Sequence, residues 1–158
     1  MKKTLVVYYS RSGFTRQVAQ AIARLCDCDI DEIREADSRI GIWGFLRSCY
    51  EVLVKRQPSI SAPTADPADY ALVIIGTPIW ANHVASPMRS YIVGYRDRFR
   101  RLAFFCTSRS TPGDAVFAEM ARLCGRQPVA TVSITAKEIL ADRHMPRLDP
   151  LVRAAAAP

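Results

Sequence analysis

The sequence has few of the residues that build fibres, disulfide frameworks or metal sites. Its 158 residues include 7 glycines, 10 prolines, 5 cysteines and 2 histidines. So little glycine and proline excludes a fibrous or low-complexity protein. An odd number of cysteines, scattered through apolar segments, is poor material for a secreted disulfide framework. Cys26 and Cys28 have no second Cys/His pair at ligand spacing, so we expect no metal site.

Long apolar stretches are also absent. No run approaches the ~18 residues that a membrane-spanning helix needs. The apolar run over residues 4–9 is too short for a signal peptide and is cut off at Ser10. Because the cysteines suit a reducing compartment, the sequence predicts a cytoplasmic protein without a membrane span.

The charge is unbalanced towards the positive. The chain has 22 Lys and Arg against 15 Asp and Glu, which gives a net charge of +7. This balance admits nucleic acid, an anionic surface or an acidic protein as partner. The cluster Arg96, Arg98, Arg100 and Arg101 lacks the interleaved aromatics and the recognition helix of a nucleic-acid binder. We therefore expect no nucleic acid as partner.

Short apolar runs alternate with segments of helical period. A chain that is 49% hydrophobic is too apolar for disorder, and its length suits one domain over residues 1–158. Runs of strand character cover 5–9, 30–33, 71–76, 101–107 and 129–134, and helical patterns cover 14–25, 42–56, 86–95 and 113–124. Five strands that alternate with helices predict a doubly wound parallel α/β sheet. After about residue 135 only 148–157 has the character of a short closing helix.

In such a sheet, ligands bind where the strands end, at the point where the strand order reverses. This rule directs attention to three loops, at 10–15, 76–83 and 106–113. The first contains Ser10, Arg11, Ser12, Gly13, Phe14 and Thr15. Hydroxyls and free amides at a helix N-terminus form an anion site, whereas a single Ser or Thr there ordinarily only caps the helix. Three hydroxyls together favour a site for a phosphate monoester.

Two common nucleotide-binding motifs are missing from the first loop. It contains neither GxxxxGK[ST] nor GxGxxG, so nucleoside triphosphates and dinucleotides are disfavoured as ligands by those routes.

The second loop contains Pro78, Ile79, Trp80, Ala81 and Asn82, and its tryptophan offers a flat surface to a planar heterocycle or packs into the core. The third contains Thr107, Ser108, Arg109 and Gly113, with no aromatic residue.

The stretch VVYYSRSGFTRQVAQAIA resembles the first strand, phosphate loop and first helix of the flavodoxin-like family. The Gly-x-Pro-x-Trp pattern of the second loop is similar to that family too. The resemblance implies three α/β/α layers, strand order 2-1-3-4-5 and bound flavin mononucleotide (FMN). It further implies that residues 10–15 hold the phosphate, 78–82 flank the ring and 107–113 close its other side. Phe14 stands where many members carry Asn.

Three functions are compatible with this resemblance. One is electron transfer as an FMN carrier, with no catalytic acid or base and with an acidic redox partner protein. Another is an NAD(P)H-dependent quinone or flavin reductase, because carrier flavodoxins are generally acidic and this chain is basic. The third is an interaction module that keeps the fold without the flavin.

Several residues have two interpretations. Arg109 either lies near the polar edge of the flavin or is a solvated loop residue. His83 contacts the ring, donates a proton, or is a surface histidine. Cys106 starts a Cys-x2-Arg sequence rather than the Cys-x5-Arg loop of phosphatases with a related topology. The aromatic segment 41–57 is a lid, a partner surface, or a helix in which Trp43 packs into the core.

Overall fold

The computed structural model describes residues 2–36 and 59–158. Segment 41–57, for which the sequence suggests a lid, a partner surface or core packing, lies outside the described residues. The strands are β1 (Lys2–Tyr8), β2 (Asp29–Glu32), β3 (Tyr70–Trp80), β4 (His83–Val84), β5 (Arg101–Ser108) and β6 (Thr131–Thr135). The helices are α1 (Phe14–Cys26), α2 (Ser86–Tyr95), α3 (Asp114–Cys124), α4 (Ala136–Leu140) and α5 (Asp149–Ala156). None of these helices is long and apolar enough to cross a membrane.

Five strands form a parallel sheet in the order β2-β1-β3-β5-β6. This is the predicted order 2-1-3-4-5 once the short β4 is set aside, so the predicted doubly wound α/β fold is confirmed. Strand β3 lies at the centre, where Ile74 is aligned with Val6 of β1 and with Ala103 of β5. The fully buried run of β3 is what a strand covered on both faces requires.

Alternate side chains of each central strand enter two separate cores. Leu5 and Val7 face one core, while Val6 and Tyr8 face the other. Helices α2 and α3 cover the first core with Met88, Tyr91, Ile92, Val116 and Met120. Helices α1, α4 and α5 cover the second with Val18, Ile22, Ile139 and Leu151. The helices therefore form a layer on each side of the sheet.

The segment after residue 76 differs from the sequence prediction. A loop was expected there, but β3 continues to Trp80 and turns back antiparallel as β4, with Trp80 opposite His83. Ala81 and Asn82 form the turn with φ of 46° and 64°. Two left-handed residues give a tight hairpin whose twist matches its strands, and Asn tolerates this conformation. Two residues are too few for β4 to show an alternating pattern in sequence.

The C-terminal region closes the layer over α1. Thr135 and Glu138 form a reciprocal capping box at the start of α4. The predicted strand at 129–134 is found as β6, and the helix suggested for 148–157 is found as α5. Leu148 and Leu151 are fully buried, so this region belongs to the second core.

Gly76 is required by the ring that packs beside it. A Cβ at Gly76 would lie 2.0 Å from the Phe105 ring, its neighbour across the sheet. We expect Gly76→Ala to lower the free energy of unfolding by about 3 kcal/mol, because overpacking displaces a buried ring. Gly94→Ala is the matched control, since a Cβ there meets nothing within 4 Å and alanine favours a helix by about 1 kcal/mol. Urea unfolding of both variants measures the difference, and equal stabilities would contradict this account of Gly76.

Candidate functional site

The three loops meet because β1, β3 and β5 are neighbours in one parallel sheet. Direct contacts join them. The Thr15 hydroxyl lies 2.8 Å from the Thr107 hydroxyl, which connects the start of α1 to the end of β5. The Trp80 ring packs edge-on against Tyr9 at 5.5 Å, and the Arg11 guanidinium lies 5.8 Å from the Trp80 ring centre. The carboxyl edge of the sheet thus forms one continuous surface.

The first loop is a tight turn that leads into α1. Gly13 takes a φ of 94°, and the Ser10 hydroxyl accepts hydrogen bonds from the Gly13 and Arg16 amides at 3.1 and 3.2 Å. The amides of Phe14 and Thr15 open α1, so they have no acceptor within the helix. No acidic residue lies in this first turn. Neutral donors at a helix N-terminus whose first turn contains no acidic residue suit a phosphate monoester.

The hydroxyls of this loop have different surroundings. Ser12 is exposed, whereas Thr15 is buried and its hydroxyl is already bonded to Thr107. Phe14 is half-buried and packs against the second core. Its side chain therefore anchors the start of α1. Ser10, Ser12 and the backbone amides are the groups that an anion would meet first.

The second loop presents Trp80 at the edge of the first core. Trp80 is half-buried, as are Pro78 and Ile79, while Ala81 and Asn82 are exposed in the hairpin turn. Tyr9 supports one edge of the indole and Arg11 lies over its face. An indole held in this way has a fixed orientation. It offers a rigid aromatic surface at the point where the three loops meet.

A buried carboxylate fixes the returning arm of the hairpin. The Glu119 carboxylate of α3 accepts a hydrogen bond from the Val84 amide at 3.0 Å and lies 3.3 Å from Nδ1 of His83. Its other oxygen accepts from the Arg89 guanidinium of α2 at 2.5 Å. The side chains of Glu119 and Arg89 are 6% and 5% exposed, so this ion pair is shielded from water. The hairpin is thereby attached to both helices of the first core.

The ionisation of Glu119 follows from these contacts. Burial raises the pKa of a carboxyl group, but the Val84 amide and the Arg89 charge outweigh burial and hold the pKa of Glu119 below its ordinary value. This cluster was not predicted from the sequence. The signal was nevertheless present, because Glu119 lies on the apolar face of α3 beside Val116 and Met120.

The third loop is held by its own hydrogen bonds. The Ser108 hydroxyl donates to the Thr111 carbonyl at 2.8 Å, and Arg109 is exposed. Gly113 is buried, and a Cβ there would lie 2.6 Å from the Cys106 sulfur. Close packing against Cys106 thus sets the path of the loop into α3.

Cys106 is a core residue. Burial raises the pKa of its thiol to about 11, and the thiol donates to Ser133 at 3.5 Å. A buried, protonated thiol is a poor nucleophile, which argues against phosphatase-like chemistry. Among residues 2–36 and 59–158, no group of three or more His, Cys, Asp or Glu is arranged to hold a metal ion.

Comparison with known sequences identifies a family. The sequence model of the family described as Flavodoxin matches residues 3–126, which is most of the chain. No curated protein matches the sequence significantly.

Solved structures of flavoproteins have a similar fold. A flavoprotein from Lactobacillus acidophilus NCFM, solved in complex with FMN, has 23% identity and a TM-score of 0.73, covering 89% of this chain and 98% of that one. A protein described as a flavoprotein from Bacteroides eggerthii DSM 20697 has 21% identity and a TM-score of 0.77 over the full length of both chains. Two-electron-reduced flavodoxin from Megasphaera elsdenii has 15% identity and a TM-score of 0.60, covering 97% of this chain and 98% of that one.

Loss of the Glu119 charge should destabilise the fold. Glu119→Gln leaves the Arg89 cation buried without a counter-charge, so we expect the free energy of unfolding to fall by about 3–5 kcal/mol. Asp149→Asn is the matched control, because Asp149 pairs with Arg153 in an exposed i,i+4 ion pair and should cost less than about 0.5 kcal/mol. Urea unfolding at pH 7 compares the two, and similar losses would show that burial of the pair is unimportant.

The same variant has an expected pH signature. Because the folded-state pKa of Glu119 is depressed, its contribution to stability is complete above the ordinary carboxyl value of 4.5 and is lost as the pH falls through the folded value. Below about pH 4.5, the stability of the wild type should therefore fall more steeply than that of Glu119→Gln.

Proposed function

The chain belongs to the flavodoxin family, and we propose that it binds FMN at the carboxyl edge of its sheet and transfers electrons through it. FMN, when bound, supplies the redox chemistry, and the protein binds, orients and shields it. The observation that carries this proposal is the convergence of an acid-free helix N-terminus with a fixed indole at one edge. A cytoplasmic location belongs to the proposal, supported by free thiols at Cys26, Cys28, Cys106 and Cys124.

The first loop would hold the phosphate. Ser10 and Ser12 offer hydroxyls, and the amides of Phe14 and Thr15 lie at the N-terminus of α1. The positive φ of Gly13 favours glycine and turns the chain into the helix. The exposed guanidinium of Arg11 adds a positive charge beside this turn. These groups would bind a phosphate dianion, and the first turn of α1 contains no acidic residue.

The second and third loops would hold the ring. Pro78, Ile79 and Trp80 present an apolar surface, and the exposed turn at Ala81 and Asn82 adds polar backbone at its rim. Residues 107–113 would close the opposite side with hydroxyls and with the charge of Arg109. A cation near the polar edge of the ring favours the anionic reduced flavin and raises the reduction potential.

A second candidate function is an NAD(P)H-dependent quinone or flavin reductase. The exposed side chains of Arg11 and Arg109 favour it, because they place two cations at the carboxyl edge. Such charges attract the phosphates of NADPH as readily as an acidic partner protein.

The absorption spectrum of the purified protein tests cofactor binding. We expect a yellow protein, or a colourless one that quenches the fluorescence of added FMN. FMN should bind at least about tenfold more tightly than riboflavin, since one charge-assisted hydrogen bond to the phosphate accounts for that factor. A protein that binds neither flavin would instead favour an interaction module of the same fold.

Trp80→Ala tests the position of the ring. We expect FMN affinity to fall by about 1–3 kcal/mol, the scale of one aromatic stacking contact. Trp80→Phe keeps a flat ring and should lose less. Fluorescence titration with FMN measures both variants, and an unchanged affinity for Trp80→Ala would mean that the indole faces away from the flavin.

Anaerobic addition of NADPH separates the two candidate functions. A carrier keeps its yellow colour until a partner reductase is added, because it has no site from which the nicotinamide delivers a hydride. A reductase is bleached rapidly by NADPH alone. Stopped-flow absorbance near the flavin maximum distinguishes these outcomes.

A further inference from the structure

We propose that His83 is a redox-linked proton site, which takes up a proton when FMN bound beside Trp80 is reduced. This inference rests on the proposed function, since it requires the flavin to lie at the second loop. Proton transfer was one of the interpretations that the sequence left open for His83. The imidazole would take up the proton with the buried Glu119 carboxylate as its partner, and this requires no change of fold.

The hairpin places His83 next to the proposed ring site. His83 lies directly opposite Trp80 in the antiparallel pair of β3 and β4. Side chains at opposite positions point to the same face, with Cβ atoms about 5 Å apart. A flavin in contact with Trp80 would therefore lie within range of a charge on His83. The imidazole is 43% exposed, so protons exchange with solvent without any opening of the fold.

Glu119 determines which nitrogen of His83 takes the proton. Nδ1 lies 3.3 Å from the Glu119 carboxylate, which is ionised and accepts a hydrogen bond. A neutral imidazole in this position carries its hydrogen on Nδ1, which leaves the lone pair of Nε2 as the basic site. A carboxylate partner thus fixes the tautomer and keeps the ring in one orientation.

The charged groups around His83 keep their charges at neutral pH. Glu119 is already balanced by Arg89 and by the Val84 amide, so its charge is fixed over the neutral pH range. Arg11 lies over the Trp80 ring and carries a constant positive charge. An imidazole is the side chain that ordinarily gains or loses its charge between about pH 5 and 8.

Reduction of the flavin supplies the driving force. Reduction of bound FMN by two electrons from a reductant such as dithionite, with one proton from water, would add one negative charge to the site. That new negative charge favours a second proton, taken from solvent by Nε2 of His83. Binding of the proton and binding of the electrons are linked, so each favours the other equally. A protonated His83 therefore raises the reduction potential, and this effect grows as the pH falls.

The test is the pH dependence of the midpoint potential of bound FMN between pH 5 and 9. We expect wild-type protein and His83→Gln to agree at pH 9 and to diverge as the pH falls. At pH 5 the ratio of the dissociation constants for oxidised and reduced FMN should be about tenfold higher in the wild type, which corresponds to about 1.4 kcal/mol. Reduction at neutral pH should also take up fewer protons in His83→Gln, as a pH indicator would report.

The chain contains a matched control in its only other histidine. His144 is buried on the α1 side of the sheet, in the opposite layer from α2 and α3, and His144→Gln should leave the pH dependence unchanged. His83→Lys provides a charge that does not titrate in this range, so its potential should stay above that of His83→Gln by a constant amount. These comparisons separate an effect of charge from a loss of structure.

The outcomes distinguish this inference from the proposed function. Wild-type protein that binds no FMN overturns the proposed function and this inference with it. Wild-type protein that binds FMN, with His83→Gln and His144→Gln showing the same pH dependence as the wild type, overturns the inference alone. Divergence of His83→Gln at low pH, with proton uptake in His144→Gln equal to that of the wild type, supports it.

Discussion

Burial of the Glu119 carboxylate costs free energy, and the structure of the carboxyl edge of the sheet depends on how that cost is offset. A charge without water is tolerated only when an opposite charge and hydrogen-bond donors surround it. Arg89 supplies the charge, and the Val84 amide and His83 supply further partners. Since these groups come from α2 and the hairpin while Glu119 comes from α3, the hairpin keeps its position only if both helices keep theirs.

The other contacts at this edge extend the same constraint. The Thr15–Thr107 hydrogen bond connects the first loop to the third, and the ring of Trp80 connects the first loop to the second. No loop can move far without breaking a contact to its neighbour. A flat cofactor benefits from such a surface, because side chains that are already ordered lose little entropy on binding.

The sequence predicted the sheet more completely than the site. Continuous apolar runs such as 71–76 mark buried parallel strands, and Val18 and Ile22 mark the inner face of α1, because burial on both faces of a sheet requires those patterns. The hairpin was missed because two-residue β4 is too short to show a period. Glu119 was missed for a different reason. Its partner Arg89 is 30 residues away, and only the packing of α2 on α3 brings the two charges together.

The positions of the arginines determine how far the net charge of +7 acts at the carboxyl edge of the sheet. Arg98 pairs with Asp66, Arg126 donates to the Arg100 carbonyl, and Arg101 donates to the Pro158 carbonyl. These groups lie near the amino end of β5, roughly 23 Å from its carboxyl end at 3.3 Å per residue. At that distance their charges are largely screened by physiological salt. These arginines therefore add little to the attraction of an anion to the carboxyl edge, where Arg11 and Arg109 are exposed.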